Sequence, residues 1–384
     1  MFVHSERLQH VLDARHYHDP TLATLEDERI FARDWQFACS HSEVSRPGEF
    51  VTFWIGSTPV IVRNFDGAVR AFVNVCPHRH SMLTGEEHGR CDVLRCQYHG
   101  WEFKADGRTG RIPEPKAFRP WDREHSHLRR LRLERCGDLW FVNPDPDAED
   151  LEHVMGPMFE IVDAELRTPD WFLGDRWDFD NDCNWKVPSE NTLESYHIQA
   201  VHPTWFDGGL PAEGHSDHVL GGSYSMLTFN DDVPLIRDAA RARRWMGGTP
   251  KRLYRHLFLN PNTTVMLSDS FAYVSSCVPT SPTTCRIRTR MYGYRGPRLG
   301  RGPAAVRAAV VRRIAFRVGR GQMKRIFAED RTIYVEQQRG LCASHQPGVI
   351  GTREERVWAL QRYVADRIGE GRRTKSEGRE ASPR

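Results

Sequence analysis

The sequence predicts an α+β protein in which an all-β block is inserted into a larger domain of antiparallel strands and helices. Short β-rich runs with tight Asp-Gly turns fill residues 38–143. A proline- and acid-rich stretch, PDPDAEDLEH, follows and reads as a domain boundary. Beyond it, strand-like runs are grouped apart from long helical runs, the pattern of α+β rather than of alternating α/β folds. The expected organisation is an all-β domain at 38–143, a second domain built from 1–37 and 150–369, and a disordered tail at 370–384.

Residues 1–37 read as helical around TLATLEDERIFARDWQF, where Leu22, Leu25, Ile30, Phe31 and Trp35 recur at roughly helical spacing. EFVTFWI, TPVIVRN and AVRAFVNV follow as short strands, with Asp66-Gly67 turning between the second and third. VLRCQYHGWEFKADGRTG adds strands and a second turn at Asp106-Gly107, and LRRLRLERCGDLWFVN ends the block. In the second domain YRHLFLN, TTVMLS, FAYVSSCV and TCRIRTRMYGY are strand-like. In the last, Cys285, Ile287, Thr289 and Met291 face one side and Arg286, Arg288 and Arg290 the other. PAAVRAAVVRRIAFRV, MKRIFAEDRTIYVEQQ and TREERVWALQRYVADRI are helix-like, and the last opens on a Thr352/Glu355 capping box.

Composition excludes several classes. The chain has 384 residues, 39% of them hydrophobic and 27% charged, which is ample for a buried core and ordinary for a soluble protein. The polar N-terminus shows no signal-peptide core, and no apolar run approaches the roughly 20 residues needed to span a bilayer. Nine cysteines, an odd number, read as a reducing, cytoplasmic setting. Between Arg295 and Phe327 there are ten Lys or Arg and no Asp or Glu, within a chain of net charge +3. That run reads as a solvated helix face or as a docking face for an acidic protein. No nucleic-acid motif accompanies it.

Two loops of the β block carry metal-ligand chemistry: Cys76-x-His78 and, seventeen residues later, Cys96-x-x-His99-Gly100-Trp101. Each offers one thiolate and one imidazole. A tetrahedral zinc would accept such a set. So would a two-iron cluster with both thiolates on one iron and both imidazoles on the other. The Gly100-Trp101 flank and the proline and basic residue in CPHR resemble Rieske proteins more than zinc ribbons. Cys91, outside both pairs, is expected to be an ordinary buried cysteine.

A second constellation is ENTLESYHIQAVHP, residues 190–203. Five residues on a regular helix advance by about 500°, leaving His197 and His202 about 140° apart. An iron that activates dioxygen takes two histidines and one carboxylate on one face and leaves its other positions open. Glu194, three before His197 and on the same helical face, is the simple candidate for the carboxylate. Pro203 biases His202 away from the α region, and a π-type loosening near His202 would turn it toward His197. An irregular helix across 194–203 is therefore predicted.

Taken with FAEDRTIYVEQQRGL, these motifs make residues from about 20 to about 370 resemble the large subunit of Rieske non-haem iron oxygenases. The resemblance implies a Rieske domain inserted into a catalytic domain of helix-grip, START-like form. It implies a [2Fe-2S] cluster on Cys76, His78, Cys96 and His99, a mononuclear Fe(II) and dioxygen as co-substrate. It reassigns Glu194, which would hold His197 and link it to His99 of a neighbouring subunit. The third iron ligand then falls on Asp330, in AEDRTIYVEQQRG, with Glu329 the neighbouring alternative, and Asn191 would line the iron pocket.

The implied activity is hydroxylation or oxidative demethylation of a small molecule, with aromatic-ring dioxygenation as the alternative. A Rieske-type electron carrier and a zinc-binding module are the rivals outside that class. A carrier needs only the β block, and over 200 residues follow it. Glutamate rather than aspartate at position 194 resembles the branch acting on choline, glycine betaine and carnitine. No G-x-G-x-x-G opens a βαβ unit, so a separate flavin reductase, ferredoxin or both would supply electrons. A cyclic homotrimer would close the electron route. Residues 205–227 are expected to shape the pocket entrance, with His215 and His218 as solvated loop histidines.

Overall fold

The computed structural model describes residues 2–120, 126–203, 216–229 and 234–369. The chain divides into two compact units, one spanning Phe31–Leu151 and the other formed by the residues up to Ile30 and from Glu152 onward. The disordered tail expected at 370–384, His215 and the first part of the expected pocket entrance, residues 205–215, lie outside the described residues.

In the larger unit a two-residue strand, β1 (Leu8–Gln9), pairs with β18 (Val349–Ile350) and ties the chain's opening to its closing helix. The β unit is a seven-stranded antiparallel sheet in the order β2 (Gln36–Ser40), β10 (Leu139–Asn143), β9 (Arg130–Cys136), β5 (Ala68–Val73), β4 (Thr58–Phe65), β3 (Glu49–Ile55) and β6 (His88–Arg90). Asp66 and Gly67 join β4 to β5 with φ of 53° and 98°, the left-handed pair that a tight hairpin needs. A short ladder of β7 (Leu94–Arg95) and β8 (Glu102–Phe103) carries the second cysteine–histidine loop. Phe72, Leu83, Leu94, Trp101 and Phe103 form the core around Cys76 and Cys96. Gly107 must be glycine here, since its φ is +86° and a Cβ would lie 2.8 Å from the Phe72 ring.

The larger unit is built on a second seven-stranded antiparallel sheet: β11 (Trp171–Asn181), β17 (Thr284–Tyr294), β16 (Phe271–Ser281), β15 (Thr263–Leu267), β14 (Tyr254–Leu259), β13 (Tyr224–Phe229) and β12 (Ser216–Leu220). Register places His218, Leu227, His256, Met266, Tyr273 and Met291 in one row across one face. The long helix α7 (Pro303–Ala343) covers that face, with Met323, Ile326 and Phe327 packed on Met266, Phe271, Tyr273 and Met291. Two further segments complete the site: α4 (Lys186–Leu193) with α5 (Ile198–Val201), and the closing helix α8 (Glu355–Ile368). No helix among the described residues is long and apolar enough to cross a membrane.

Several local expectations are corrected. The N-terminal helix is short, α1 (Pro20–Glu26), and passes through a π-helical turn at Asp27–Phe31 before β2 begins. The two helices expected on either side of residues 319–322 are one helix of 41 residues. Gly319 is there for close approach, since a Cβ would lie 3.2 Å from Phe271. The Thr352/Glu355 capping box does not form. Gly351 N–H donates to Glu354 Oε2 at 2.7 Å instead. Glu355 is buried and accepts from the N–H groups of Val3 and His4 at 3.0 and 2.9 Å. Cys91 is half-buried rather than buried.

Candidate metal centres

The two cysteine–histidine loops of the β unit are built alike. Cys76 N–H donates to Ser81 O and His80 N–H to Cys76 O; Cys96 N–H donates to Trp101 O and Gly100 N–H to Cys96 O. His80 and Gly100, at the same place in each loop, both have left-handed φ, 57° and 72°. The repetition aims both cysteines inward and both histidines outward. Cys76 and Cys96 are 1% and 2% exposed, while the His78 and His99 rings are half-buried, with centroids 4.6 Å apart. Trp101 lies flat against His78 at 4.9 Å and Tyr98 sits on His99 at 3.7 Å.

These residues fit a two-iron cluster. Burial, then the neighbouring Cys96, pushes the Cys76 thiol up to about 11, so that thiol keeps its proton until a metal displaces it. His78 Nδ1 is buried and has no hydrogen-bond partner among the described residues. A single zinc holds its donors about 2.0–2.3 Å from the ion, so they crowd within one small sphere. Among the described residues the only set of three or more donors within 4.8 Å of one another is His197, His202 and Asp330. The four loop donors are spread wider than one ion requires.

The second centre is that set of three. His197 and His202 come from either end of α5, and Asp330 from the middle of α7. Asp330 Oδ1 lies 3.0 Å from His202 Nε2 and 3.6 Å from His197 Nε2. It is buried without an aligned hydrogen bond, the state of an oxygen facing a cation site rather than a donor. The other ring nitrogens are held by other carboxylates. Glu194 Oε1 closes on His197 Nδ1, and Glu329 Oε2 lies 2.7 Å from His202 Nδ1. Burial lowers the His202 basicity, but Asp330 and Glu329 together outweigh it and raise it above the ordinary value. Two imidazoles with Nε2 inward and Nδ1 anchored, plus one inward carboxylate, fit the facial set of a non-haem Fe(II) with open positions.

The predicted irregularity at 194–203 is present, but it takes another form. The helix breaks at Glu194, whose backbone is extended (φ −127°, ψ 167°), and restarts at Ile198. His202 N–H bonds Ile198 O at 2.8 Å in ordinary α fashion, so there is no π-type turn. The break itself rotates one histidine relative to the other. His202 then leaves the helix at φ −121°, as the following Pro203 requires.

Asn191 Nδ2 lies 3.4 Å from Tyr334 Oη, one turn beyond Asp330 on α7. His218 is not a solvated loop histidine. It sits on β12 with its side chain 3% exposed and Nδ1 2.8 Å from Glu355 Oε1. Sequence reasoning missed the hold of Glu329 on His202 Nδ1 and the buried contacts that join Thr192, His256 and Arg356. Only Glu329 left a signal, its place beside Asp330. The other three lie on α4, β14 and α8, far apart in sequence, and meet only through tertiary packing.

Residues 169–370 match the family model for the ring hydroxylating alpha subunit (catalytic domain), and residues 34–125 match the Rieske [2Fe-2S] domain. The chain is 34% identical over 199 residues to the carnitine monooxygenase oxygenase subunit of Escherichia coli (strain K12), covering 51% of this chain and 53% of that protein. It is 33% identical over 200 residues to the anthranilate 1,2-dioxygenase large subunit of Acinetobacter baylyi, covering 48% and 41%. The chain thus spans about half the length of the curated relatives it matches. Among solved structures it resembles the quaternary ammonium Rieske monooxygenase CntA with L-carnitine, at TM-score 0.75 and 21% identity over 94% of this chain and 96% of that one. A naphthalene 1,2-dioxygenase variant with phenanthrene gives TM-score 0.75 and 20% identity over 98% and 97%. Both structural likenesses speak to the fold.

Proposed function

Because the chain belongs to the ring-hydroxylating alpha-subunit family, we propose that it is a terminal oxygenase that hydroxylates or oxidatively demethylates a small organic substrate. The observation that carries this is the convergence of His197, His202 and Asp330, each histidine anchored through Nδ1 by its own carboxylate. When bound, the cluster supplies single electrons and the Fe(II) supplies the site of dioxygen chemistry.

The chain's own residues do the positioning. Cys76, His78, Cys96 and His99 would hold the cluster, with the histidine edge toward the surface. His197, His202 and Asp330 would hold the iron. Glu194 and Glu329 fix the ring orientations and keep both Nδ1 protons in place. We assign Glu194 a second task, linking His197 to His99 of another copy of this chain, which makes a homotrimer the functional unit. Asn191 lies on the iron side of α4 and is assigned to the pocket wall. A flavin reductase, a ferredoxin or both would deliver electrons. The basic stretch 295–327 offers such an acidic partner a face, where Val306, Val310, Ile314 and Val318 are exposed along α7.

Glu194 and the carnitine monooxygenase relatives favour a quaternary-amine substrate and monooxygenation. Ring dioxygenation is the second reading, favoured by the similarity to the anthranilate enzyme. The experiment is product analysis on methylated amines and aromatic acids, using iron-reconstituted protein with an NADH-linked reductase. Hydroxylated or demethylated amines are expected. A cis-dihydrodiol would select the second reading, and a chain that binds no mononuclear iron would refute both.

A further inference from the structure

The helix that leads into the iron site is pinned at both ends, by different groups. Near the start of α4, Lys186 Nζ lies 2.5 Å from Glu26 Oε1, and Glu190 is held by Tyr17 and Gln361. In the last turn Asn191 Nδ2 meets Tyr334 Oη at 3.4 Å, and Thr192 Oγ1 lies 3.1 Å from His256 Nε2. Two residues after Thr192 the helix breaks. Glu194 Oε2 accepts the N–H groups of Tyr196 and His197, so its carboxylate is tied to the restart of the chain into α5. Where α5 and its two histidines stand therefore depends on where the last turn of α4 stands.

His256 can pin that turn because Arg356, in the first turn of α8, fixes its tautomer. Both side chains are buried. Arg356 Nε donates to Ser225 Oγ at 3.1 Å, and one terminal nitrogen donates to His256 Nδ1 at 3.1 Å. The other donates to the carbonyls of His256 and Ser225 at 3.1 and 3.4 Å. The guanidinium thus clamps α8 to β13 and β14 together. It has no lone pair to offer, so His256 Nδ1 must accept. Burial, and then the Arg356 charge, keep His256 neutral, and its one ring proton sits on Nε2. Nε2 therefore donates to Thr192 Oγ1. The imidazole is a directional spacer, an acceptor toward α8 and a donor toward α4. Apolar packing would fill the same space, but a hydrogen bond fixes direction as well as distance.

We propose that Arg356 and His256 are positioning residues of the iron site: they hold Thr192, and through it the end of α4, at the place from which Glu194 reaches His197 Nδ1. This rests on the reading of His197, His202 and Asp330 as the iron site, and it does not depend on whether the substrate is an amine or an aromatic.

Two measurements test it. Nitrogen-15 spectra of the unaltered, histidine-labelled protein should find His256 neutral, with its proton on Nε2, across about pH 6–8. Thr192→Val keeps the side-chain volume and removes the acceptor, whereas Thr192→Ser keeps the acceptor. Thr192→Val should release its Fe(II) to the chelator ferrozine at least about threefold faster, the scale of one lost hydrogen bond that orients a ligand. The electron-spin-resonance signal of its Fe(II) with added nitric oxide should broaden or split, while the cluster absorbance stays unchanged. Thr192→Ser should match the unaltered protein in both readouts. A fall in the unfolding midpoint of Thr192→Val with iron release and the nitric oxide signal unchanged would mark a packing role only and overturn the proposal. Equal losses in Thr192→Ser, or a ring proton on Nδ1, would also overturn it, and the tautomer decides even where Thr192→Val does not fold. Failure of the oxygenase reading would appear separately, as an unaltered protein that binds no mononuclear iron, with the His256 tautomer as stated.

Discussion

Glu329 and His202 meet at 2.7 Å, on the ring nitrogen that faces away from Asp330. Neighbouring residues on a helix project about 100° apart, so Glu329 and Asp330 cannot both face one ion squarely. They divide the two nitrogens of one imidazole instead. Asp330 therefore is expected to bind the metal and Glu329 to hold the ligand. Asp330→Ala should abolish mononuclear iron binding and leave the cluster spectrum intact. Glu329→Ala should retain iron with affinity lowered about 10–100-fold, as metal titration would measure. Iron retained in Asp330→Ala and lost in Glu329→Ala would reverse the assignment.

Glu194 grips His197 through Nδ1 and leaves Nε2 turned inward. In Glu194→Ala both metals should still bind and the cluster should still reduce. Coupled turnover should collapse, because the proposed link to a second copy is gone. Stopped-flow reduction combined with oxygen uptake separates these steps, and full coupled activity in this variant would remove the linking role.

Glu190 is buried against Tyr17, which donates to it at 2.5 Å, and Gln361, at 3.1 Å. Burial pushes its carboxyl from 4.5 up to about 7. Between those values the folded chain holds a proton that the unfolded chain has released, so stability falls as pH rises through that window. The full loss is at most about 3 kcal/mol. Glu190→Gln keeps the acceptor and removes the titration, and urea unfolding at pH 5 and pH 7.5 should then give nearly equal midpoints. A slope unchanged in the variant would place its origin elsewhere.

Two glycines in α7 should respond oppositely to substitution. Gly321 has nothing within 4 Å of a Cβ, so Gly321→Ala should raise stability by about 0.5–1 kcal/mol through helix propensity. A Cβ on Gly319 would lie 3.2 Å from Phe271 and 3.5 Å from Met291, so Gly319→Leu should lower it by about 1–3 kcal/mol through overpacking. Thermal unfolding reads both, and a stabilised Gly319→Leu would mean that the helix does not pack on the sheet at this point.

The sequence by itself determined the α+β class, the two cysteine–histidine loops, and the histidine pair with its proline. These are local in kind: hairpin chemistry at Asp66-Gly67, short ligand spacings, and the φ restriction that Pro203 imposes. It also placed Asp330 as a candidate, through a resemblance rather than through spacing. Only the tertiary structure decided what the carboxylates do. Glu194 shares a helical face with His197 on paper, yet the chain breaks at Glu194 and its carboxylate meets the outer nitrogen. Glu355, read as a cap, is buried under the N-terminal residues and His218. Arg356, His256 and Thr192 come from α8, β14 and α4, and no periodicity connects them. Which nitrogen of an imidazole a carboxylate reaches is settled by a contact across more than a hundred residues of chain. Sequence pattern reports the face of an element, and it carries no information about the atom that another element presents to that face.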